Sequence, residues 1–320
     1  MNSKARRLLV TGGDSFTAGH LLPYLEQSRA FETVAVSGRH PRDTEESCYH
    51  SADLTDPRQV SPMVQSTAPN AVIHLAGSRG DDECCWSVNL DATRSLLEAC
   101  ACQPEPPDVM LVSSAAVYGS SGDGNLPVNE SAPLRPLNAY GASKAEAELV
   151  AMTMHRQGRL RVVVVRPFNL LGPGLRPGTA PADFTAQIKA IREEGTPSVM
   201  RVGNLDTARD FIDVRDAVRA YTELICSEDG WGRAFNVSSG QSVTIGGLLE
   251  QMLDCAGLEE WPRIIEQKTE FVEVTRQSGD PSALRELTGW SADIPLARSL
   301  ADMLAWTSPD RHHPTGTQST

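Results

Sequence analysis

The stretch Arg6-Arg7-Leu8-Leu9-Val10-Thr11-Gly12-Gly13-Asp14-Ser15-Phe16-Thr17-Ala18-Gly19-His20-Leu21-Leu22 decides the fold. Leu8 to Val10 is a short apolar run closed by a glycine pair, the mark of a buried strand. The apolar spacing after the turn reads as a helix. A strand, a glycine turn and a helix N-terminus together aim backbone N–H groups at an anion such as a dinucleotide pyrophosphate. The stretch departs from the common Gly-x-x-Gly-x-x-Gly form. Gly12 is kept, while Ser15 and Ala18 stand at the second and third glycine positions. Both replacements are small, so close approach of a ligand is retained.

The same texture repeats downstream. Glu32 to Ser37 reads as a second strand, and a short third one precedes Ala52-Asp53-Leu54-Thr55-Asp56. Asn70 to Gly77 is a fourth strand ending in small residues, Asp108 to Ser113 a fifth, and Leu160 to Val165 a strongly β-branched sixth. Apolar strands alternating with helices give an α/β chain built on a doubly wound parallel sheet. Trp86 to Cys102 reads as one helix, with Asn89 and Thr93 a turn apart. His74 sits in an apolar run and reads as a satisfied core residue. After Gly172 the elements shorten and proline becomes frequent, as in a smaller C-terminal substrate-binding lobe. The expected division assigns 1–170 and about 205–238 to a dinucleotide-binding domain, and about 171–204 and 239–307 to the lobe. A polar tail, 308–320, is expected to fray. The helix from Asp216 to Cys226 and the strand from Ala234 to Val237 are expected to return to the main sheet.

Composition narrows the function. A net charge of −12 over 320 residues argues against nonspecific nucleic-acid binding, so an anionic ligand needs a local cluster of cations or helix N-termini. Seven cysteines, an odd number without metal-ligand spacing, read as reduced thiols of a cytoplasmic protein, with no metal site. No apolar run approaches the roughly 20 residues of a membrane span. The chain enters its first strand almost at once, so no signal peptide and no membrane partner are expected.

The chemistry centres on Leu137-Asn138-Ala139-Tyr140-Gly141-Ala142-Ser143-Lys144, at the head of a helical run from Ala145 to Met154. Tyr140 and Lys144 are i and i+4 and share a helix face. An ammonium beside a phenol favours phenolate, and a Tyr so tuned exchanges a proton near neutral pH. Ser114 ends the fifth strand, in Val112-Ser113-Ser114-Ala115-Ala116-Val117-Tyr118-Gly119, and puts a hydroxyl beside the cofactor crevice. After the second strand, Ser37-Gly38-Arg39-His40-Pro41-Arg42 lacks the acidic residue that holds a ribose 2′-hydroxyl. Arg39 and Arg42 suit a 2′-phosphate instead, so NADP(H) is favoured over NAD(H).

Six linked pieces occur in order: Thr11-Gly12-Gly13; His74-Leu75-Ala76-Gly77; Ser113-Ser114 before Val117-Tyr118-Gly119; Tyr140 with Lys144; Arg166-Pro167-Phe168-Asn169 with Gly172-Pro173-Gly174; and Arg209-Asp210-Phe211 before Val214. Over nearly its whole length the chain thereby resembles the extended short-chain dehydrogenase/reductases that act on nucleotide sugars. Arg166-Pro167-Phe168-Asn169 followed by Gly172-Pro173-Gly174, and Val202-Gly203-Asn204-Leu205 ahead of Arg209-Asp210-Phe211, make the reductases of GDP-4-keto-6-deoxymannose the nearest likeness within that family.

The resemblance implies a Rossmann fold and assigns roles. Tyr140 donates a proton to the sugar carbonyl, Lys144 lowers its pKa and holds the nicotinamide ribose, and Ser114 holds the substrate oxygen. Cofactor contacts fall on Gly12, Ser15, Phe16, Thr17, Ser37, Arg39, Asp53, Leu54, Leu75, Ala76, Gly77, Lys144, Pro167 and Phe168. Substrate contacts fall on Ser78, Ser114, Tyr140, Asn169 and Arg209, with Asn169 and Arg209 at the pyrophosphate. The implied activity is NADPH-dependent reduction of a nucleotide-linked 4-keto-6-deoxy sugar carried on GDP, dTDP or UDP. A 4-epimerase that retains NAD is the alternative, and a non-catalytic NADP-binding protein the third reading. A 4,6-dehydratase fits poorly, because Ala115 and Ala116 replace the Asp-Glu pair those enzymes use to move protons. Relatives pair helices across a two-fold axis, so a homodimer through 142–155 is expected, using Ala145, Ala147, Leu149, Val150 and Met152. Two departures stand out: the altered glycine turn, and a loop after Gly77 that is shorter than usual and commonly touches the sugar.

Overall fold

The computed structural model describes residues 6–38, 48–120, 127–194, 199–267 and 274–307. Along the chain, β1 (Arg7–Thr11) leads through the glycine turn into α1 (Phe16–Ser28). Then follow β2 (Thr33–Gly38), β3 (Cys48–Ser51), α2 (Pro57–Thr67), β4 (Ala71–His74) and the short α3 (Asp82–Cys85). A π-helical stretch, Trp86–Asp91, joins α3 to α4 (Ala92–Ala101). Next come β5 (Asp108–Val112), a 3₁₀ turn Ala115–Tyr118, α5 (Ala139–Arg156) and β6 (Val162–Pro167). The remainder holds β7 (Asn169–Leu171), α6 (Ala180–Glu194), β8 (Val199–Val202), β9 (Ala208–Asp213), α7 (Val214–Cys226) and β10 (Ala234–Val237). It closes with β11 (Ser242–Thr244), α8 (Ile245–Ala256), β12 (Arg263–Glu266), α9 (Ser282–Thr288) and α10 (Leu296–Ala305).

Seven strands form one parallel sheet in the order β10-β6-β5-β4-β1-β2-β3. This is the doubly wound Rossmann arrangement. The strands read as continuous apolar runs because helices cover both faces. Side chains alternate accordingly: Leu8, Val10, Ile73, Met110 and Val163 pack toward α1 and α7. Leu9, Val72, Val109, Leu111 and Val162 pack toward α2, α4 and α5. Each such fully buried Val or Leu contributes about 1.5–3 kcal/mol. The strand order reverses between β1 and β4, so the loops after these two strands part and leave a crevice at their carboxyl ends.

Both α7 and β10 return to the main sheet, β10 pairing with β6 so that Val237 lies opposite Pro167. With that place filled, β9 pairs instead with β7 and β11 in a small second sheet. A third core, including Phe184, Leu248, Met252, Leu300 and Met303, lies among α6, α8 and α10. The division at 239 is not sharp. Leu284 of α9 and Trp290 are buried in the same core as α7, with the Trp290 indole donating to the Asp216 carbonyl at 3.0 Å. The helix read as starting at Trp86 begins earlier, because Asp81 caps α3 by accepting from Cys84 N at 2.8 Å.

Candidate active site

Asn138 caps α5 by accepting from Gly141 N at 2.9 Å, which fixes Tyr140 and Lys144 one turn apart at the start of the helix. Lys144 is buried and its Nζ donates to the Val112 carbonyl, 3.0 Å away at the end of β5. Ser114, two residues on, holds extended backbone; its Oγ accepts from Ala116 N at 3.1 Å, and it lines the same cavity as the Tyr140 phenol, on whose acidity it acts. The three side chains that sequence spacing singled out therefore meet over one strand end.

Their acidities are perturbed together. Burial opposes ionisation of Tyr140, but the Arg79 and Lys144 charges, with hydrogen bonds from Ser114 and Arg79, outweigh it and hold the phenol below its ordinary value. Burial pushes Lys144 down, against the pull of Tyr140. His74 is fully enclosed, and burial followed by the Lys144 charge depresses its pKa to about 3. Its Nδ1 lies 2.6 Å from the Thr11 hydroxyl and its Nε2 2.8 Å from that of Thr93. Thr93 gives its one proton to the Asn89 carbonyl at 2.7 Å. It follows that Nε2 carries the proton of a neutral ring, and His74 is a structural residue, as its apolar setting predicted.

Two cavities occupy the crevice and share Ser15, Leu75, Gly77, Ser78 and Arg176. The smaller, about 250 Å³, is lined by Gly12, Ser37, Asp53, Leu54 and Ala76. Gly12 adopts φ +72°, and a Cβ there would come 2.7 Å from Ala76 N, so only glycine lets the two loops approach. A Cβ on Gly13 would overlap Val36. Ser15 caps α1 by accepting from Ala18 N at 3.1 Å, and Ala18 is fully buried against the sheet. The altered fingerprint thus keeps its turn, its helix N-terminus and its packing. The Ser37 hydroxyl is buried and has no hydrogen-bond partner among the described residues, which fits a ligand hydroxyl or phosphate there. Asp53 turns its carboxylate to Thr55 N and Oγ1, at 2.9 and 2.7 Å. The groove fits a dinucleotide by these features. Arg39 and Arg42 lie outside the described residues.

The larger cavity, about 760 Å³, contains Phe16, Thr17, Ser114, Tyr140, Lys144, Pro167, Phe168, Asn169 and Arg209 along its walls. Asn169 Nδ2 donates to the Asp210 carbonyl at 2.9 Å, and Arg209 to the Ala208 carbonyl at 3.0 Å. Residues absent from the sequence reading also face this space. Tyr221 comes from α7, and Arg176 reaches the Asp14 carbonyl from the Pro/Gly-rich loop. Arg79 comes from the short loop after Gly77 and stands 5.1 Å over the Tyr140 ring. A cation in an irregular loop gives no periodic signal, which is why only the structure finds Arg79 and Arg176.

Residues 8–238 match the sequence profile of the NAD-dependent epimerase/dehydratase family. The chain belongs to that family. As a member of the NAD-dependent epimerase/dehydratase family it is an NAD(P)-dependent oxidoreductase of the extended short-chain type. GDP-6-deoxy-D-mannose reductase of Pseudomonas aeruginosa is 31% identical over 313 residues, covering 95% of this chain and 98% of that protein. A solved structure of RMD from Pseudomonas aeruginosa complexed with NADPH has a TM-score of 0.81 at 31% identity, covering 93% and 97% of the two chains. Another family relative, UDP-glucose 4-epimerase of Thermus thermophilus in complex with NAD, has a TM-score of 0.82 at 25% identity, covering 93% and 97%.

Proposed function

We propose that the protein is a nucleotide-sugar 4-ketoreductase, reducing a GDP-linked 4-keto-6-deoxy sugar with NADPH. The observation that carries this is the convergence of Ser114, Tyr140 and Lys144 at the mouth of the dinucleotide groove, with Ala115 and Ala116 where a dehydratase needs groups that move protons. Likeness to a GDP-6-deoxy-D-mannose reductase supports the choice of substrate class.

The groove lined by Gly12, Ser37, Asp53, Ala76 and Gly77 would hold NADPH, which would supply the hydride. Ser114 and Tyr140 hold the sugar carbonyl oxygen, and Tyr140 gives it a proton as charge develops there. Lys144 stabilises the phenolate left behind. Arg209 and Asn169 grip the pyrophosphate, a guanidinium being able to donate two hydrogen bonds to it. Orientation and acid are the protein's contribution. The preference for NADPH rests on the absence of an acidic residue from Ser37 to His40 and on Arg39 and Arg42; Arg39→Asp should reverse it. A homodimer is proposed through the outer face of α5, in a cytoplasmic protein; no helix among the described residues is long and apolar enough to cross a membrane.

The test mixes purified protein and NADPH with a panel of GDP-, dTDP- and UDP-linked 4-keto sugars and follows absorbance. One NADPH lost per sugar converted is the expected result. Sugar interconversion without net NADPH loss would replace this reading with the second, a 4-epimerase, which the likeness to UDP-glucose 4-epimerases favours.

A further inference from the structure

The loop between Gly77 and α3 delivers a cation to the ring of Tyr140. The Arg79 guanidinium carbon lies 5.1 Å from the centre of the Tyr140 ring. Arg79 lines the larger cavity together with Tyr140, Ser114 and Lys144, and its charge acts on the Tyr140 phenol. The Arg79 backbone is tethered on both sides. Ser78 N donates to Asn89 Oδ1 at 2.8 Å, and Asn89 Nδ2 donates back to the Ser78 carbonyl at 2.9 Å and to Ser143 Oγ at 3.0 Å. Ser143 belongs to α5, between Tyr140 and Lys144, so one asparagine ties the loop to the catalytic helix. Gly80 N donates to Ser78 Oγ at 3.0 Å, and Asp81 caps α3 immediately after. Asn89 sits in the π-helical stretch, whose wider turn marks a local insertion of the kind that gathers at functional sites.

We propose that Arg79 is a second cation beside the Tyr140 ring and that, with Lys144, it positions and tunes the proton donor. The inference rests on the ketoreductase reading for its kinetic consequence, and on the placement of Arg79 over the Tyr140 ring for its effect on the phenol. Among the described residues, the charged or titratable groups that act on the phenol are Lys144 from α5, Arg79 from the loop and Tyr221 from α7, beside the neutral Ser114 hydroxyl. A cation within a few ångströms shifts a phenol by about one unit or more toward ionisation. In reduction Tyr140 must enter with its proton, so a more acidic phenol brings the alkaline fall in rate to lower pH. In the reverse oxidation it readies the base at lower pH. The cation thus biases the enzyme toward working in both directions near neutrality.

The experiment labels tyrosine at the phenol carbon in the full-length protein and follows its resonance against pH, Tyr140 being assigned by its loss in Tyr140→Phe. This readout needs no sugar. Arg79→Met should move the Tyr140 midpoint up by about one unit, and Arg79→Lys by less, because a charge is kept. With NADPH and the GDP-linked 4-keto sugar, the alkaline limb of turnover should move up in parallel, while KM changes less than kcat. A Tyr140 midpoint unchanged in Arg79→Met overturns the inference, whatever the kinetics. A shifted midpoint in a protein that converts no keto sugar supports the inference and counts against the ketoreductase reading.

Discussion

At the residue scale, each side chain of the site has a separable expected effect. Tyr140→Phe removes only the ionisable oxygen and should lower turnover on the order of 10²–10⁴, the usual worth of a positioned acid. Binding of the sugar nucleotide, measured by calorimetry, should be nearly unchanged. Lys144→Met should weaken NADPH binding as well as turnover. Arg209→Ala should mainly raise KM, since a pyrophosphate contact is made alike in ground and transition states. A variant of Tyr140 that kept full turnover would remove it from the chemistry. His74 gives a prediction in pH. Its folded pKa of about 3 lies below the unfolded value near 6.5, so the folded state resists the proton that the unfolded chain accepts. The stability from keeping His74 neutral is complete above about pH 6.5 and is lost as pH falls toward 3, at up to about 1.4 kcal/mol per pH unit. Urea midpoints measured from pH 7 to pH 4 should fall more steeply in the native protein than in a folded His74→Gln variant; equal slopes would refute the account. Tyr140, Lys144 and Ser114 were legible because a helical turn and a strand end are local patterns. Arg79 was not, because its contact depends on where Asn89 draws a distant loop.

At the element scale, two devices hold the site. Gly12 allows the turn after β1 to meet the Ala76 backbone, so Gly12→Ala combines a left-handed strain of about 1 kcal/mol with a steric overlap. NADPH affinity in a binding titration should drop more than global stability does; undiminished affinity would show that the two loops need not touch. The second device is the buried pair of Arg166 on β6 and Glu148 on α5, 2.6 Å apart. Arg166 also donates to the Tyr118 hydroxyl at 2.8 Å, which donates in turn to Asn236 at 2.7 Å. Glu148→Leu would strand the guanidinium and should cost about 3–5 kcal/mol in denaturant unfolding. A loss under about 1 kcal/mol would mean the pair is solvated. The Arg-Pro-Phe-Asn sequence marked the family, yet nothing in its spacing told that Arg166 braces α5 while Asn169, three residues on, faces the cavity. The glycine turn was legible as a tight turn ahead of a helix N-terminus. That Ser15 is kept for its cap and Ala18 for its burial emerged only from the packing.

At the scale of the whole molecule, the alternation of strands and helices was enough to give the parallel sheet, because burial on both faces leaves an unbroken apolar signature. It did not give β8 with β12, or the small sheet around β9, whose strands are short and pair across long stretches of chain. The proposed dimer has a narrower basis than the sequence suggested. Ala145 and Ala147 are buried in the chain's own core, and Val150 and Met152 pack against it, whereas Leu149 is 58% exposed. Light scattering at micromolar concentration should nonetheless give twice 34.6 kDa, and Leu149→Glu should halve it. A monomer in the unaltered protein would dismiss the pairing. The placement of Trp290 has a consequence for synthesis. The core that β1 begins is completed by a residue near the other end of the chain, fully buried against α7. While the protein is being made, Trp290 leaves the ribosome after β7, α6, β8 and α8, so the α7 face of the large sheet's core waits uncovered until late in synthesis. A released chain truncated after Val237 should therefore remain open to protease along α7, although it holds every strand of the large sheet.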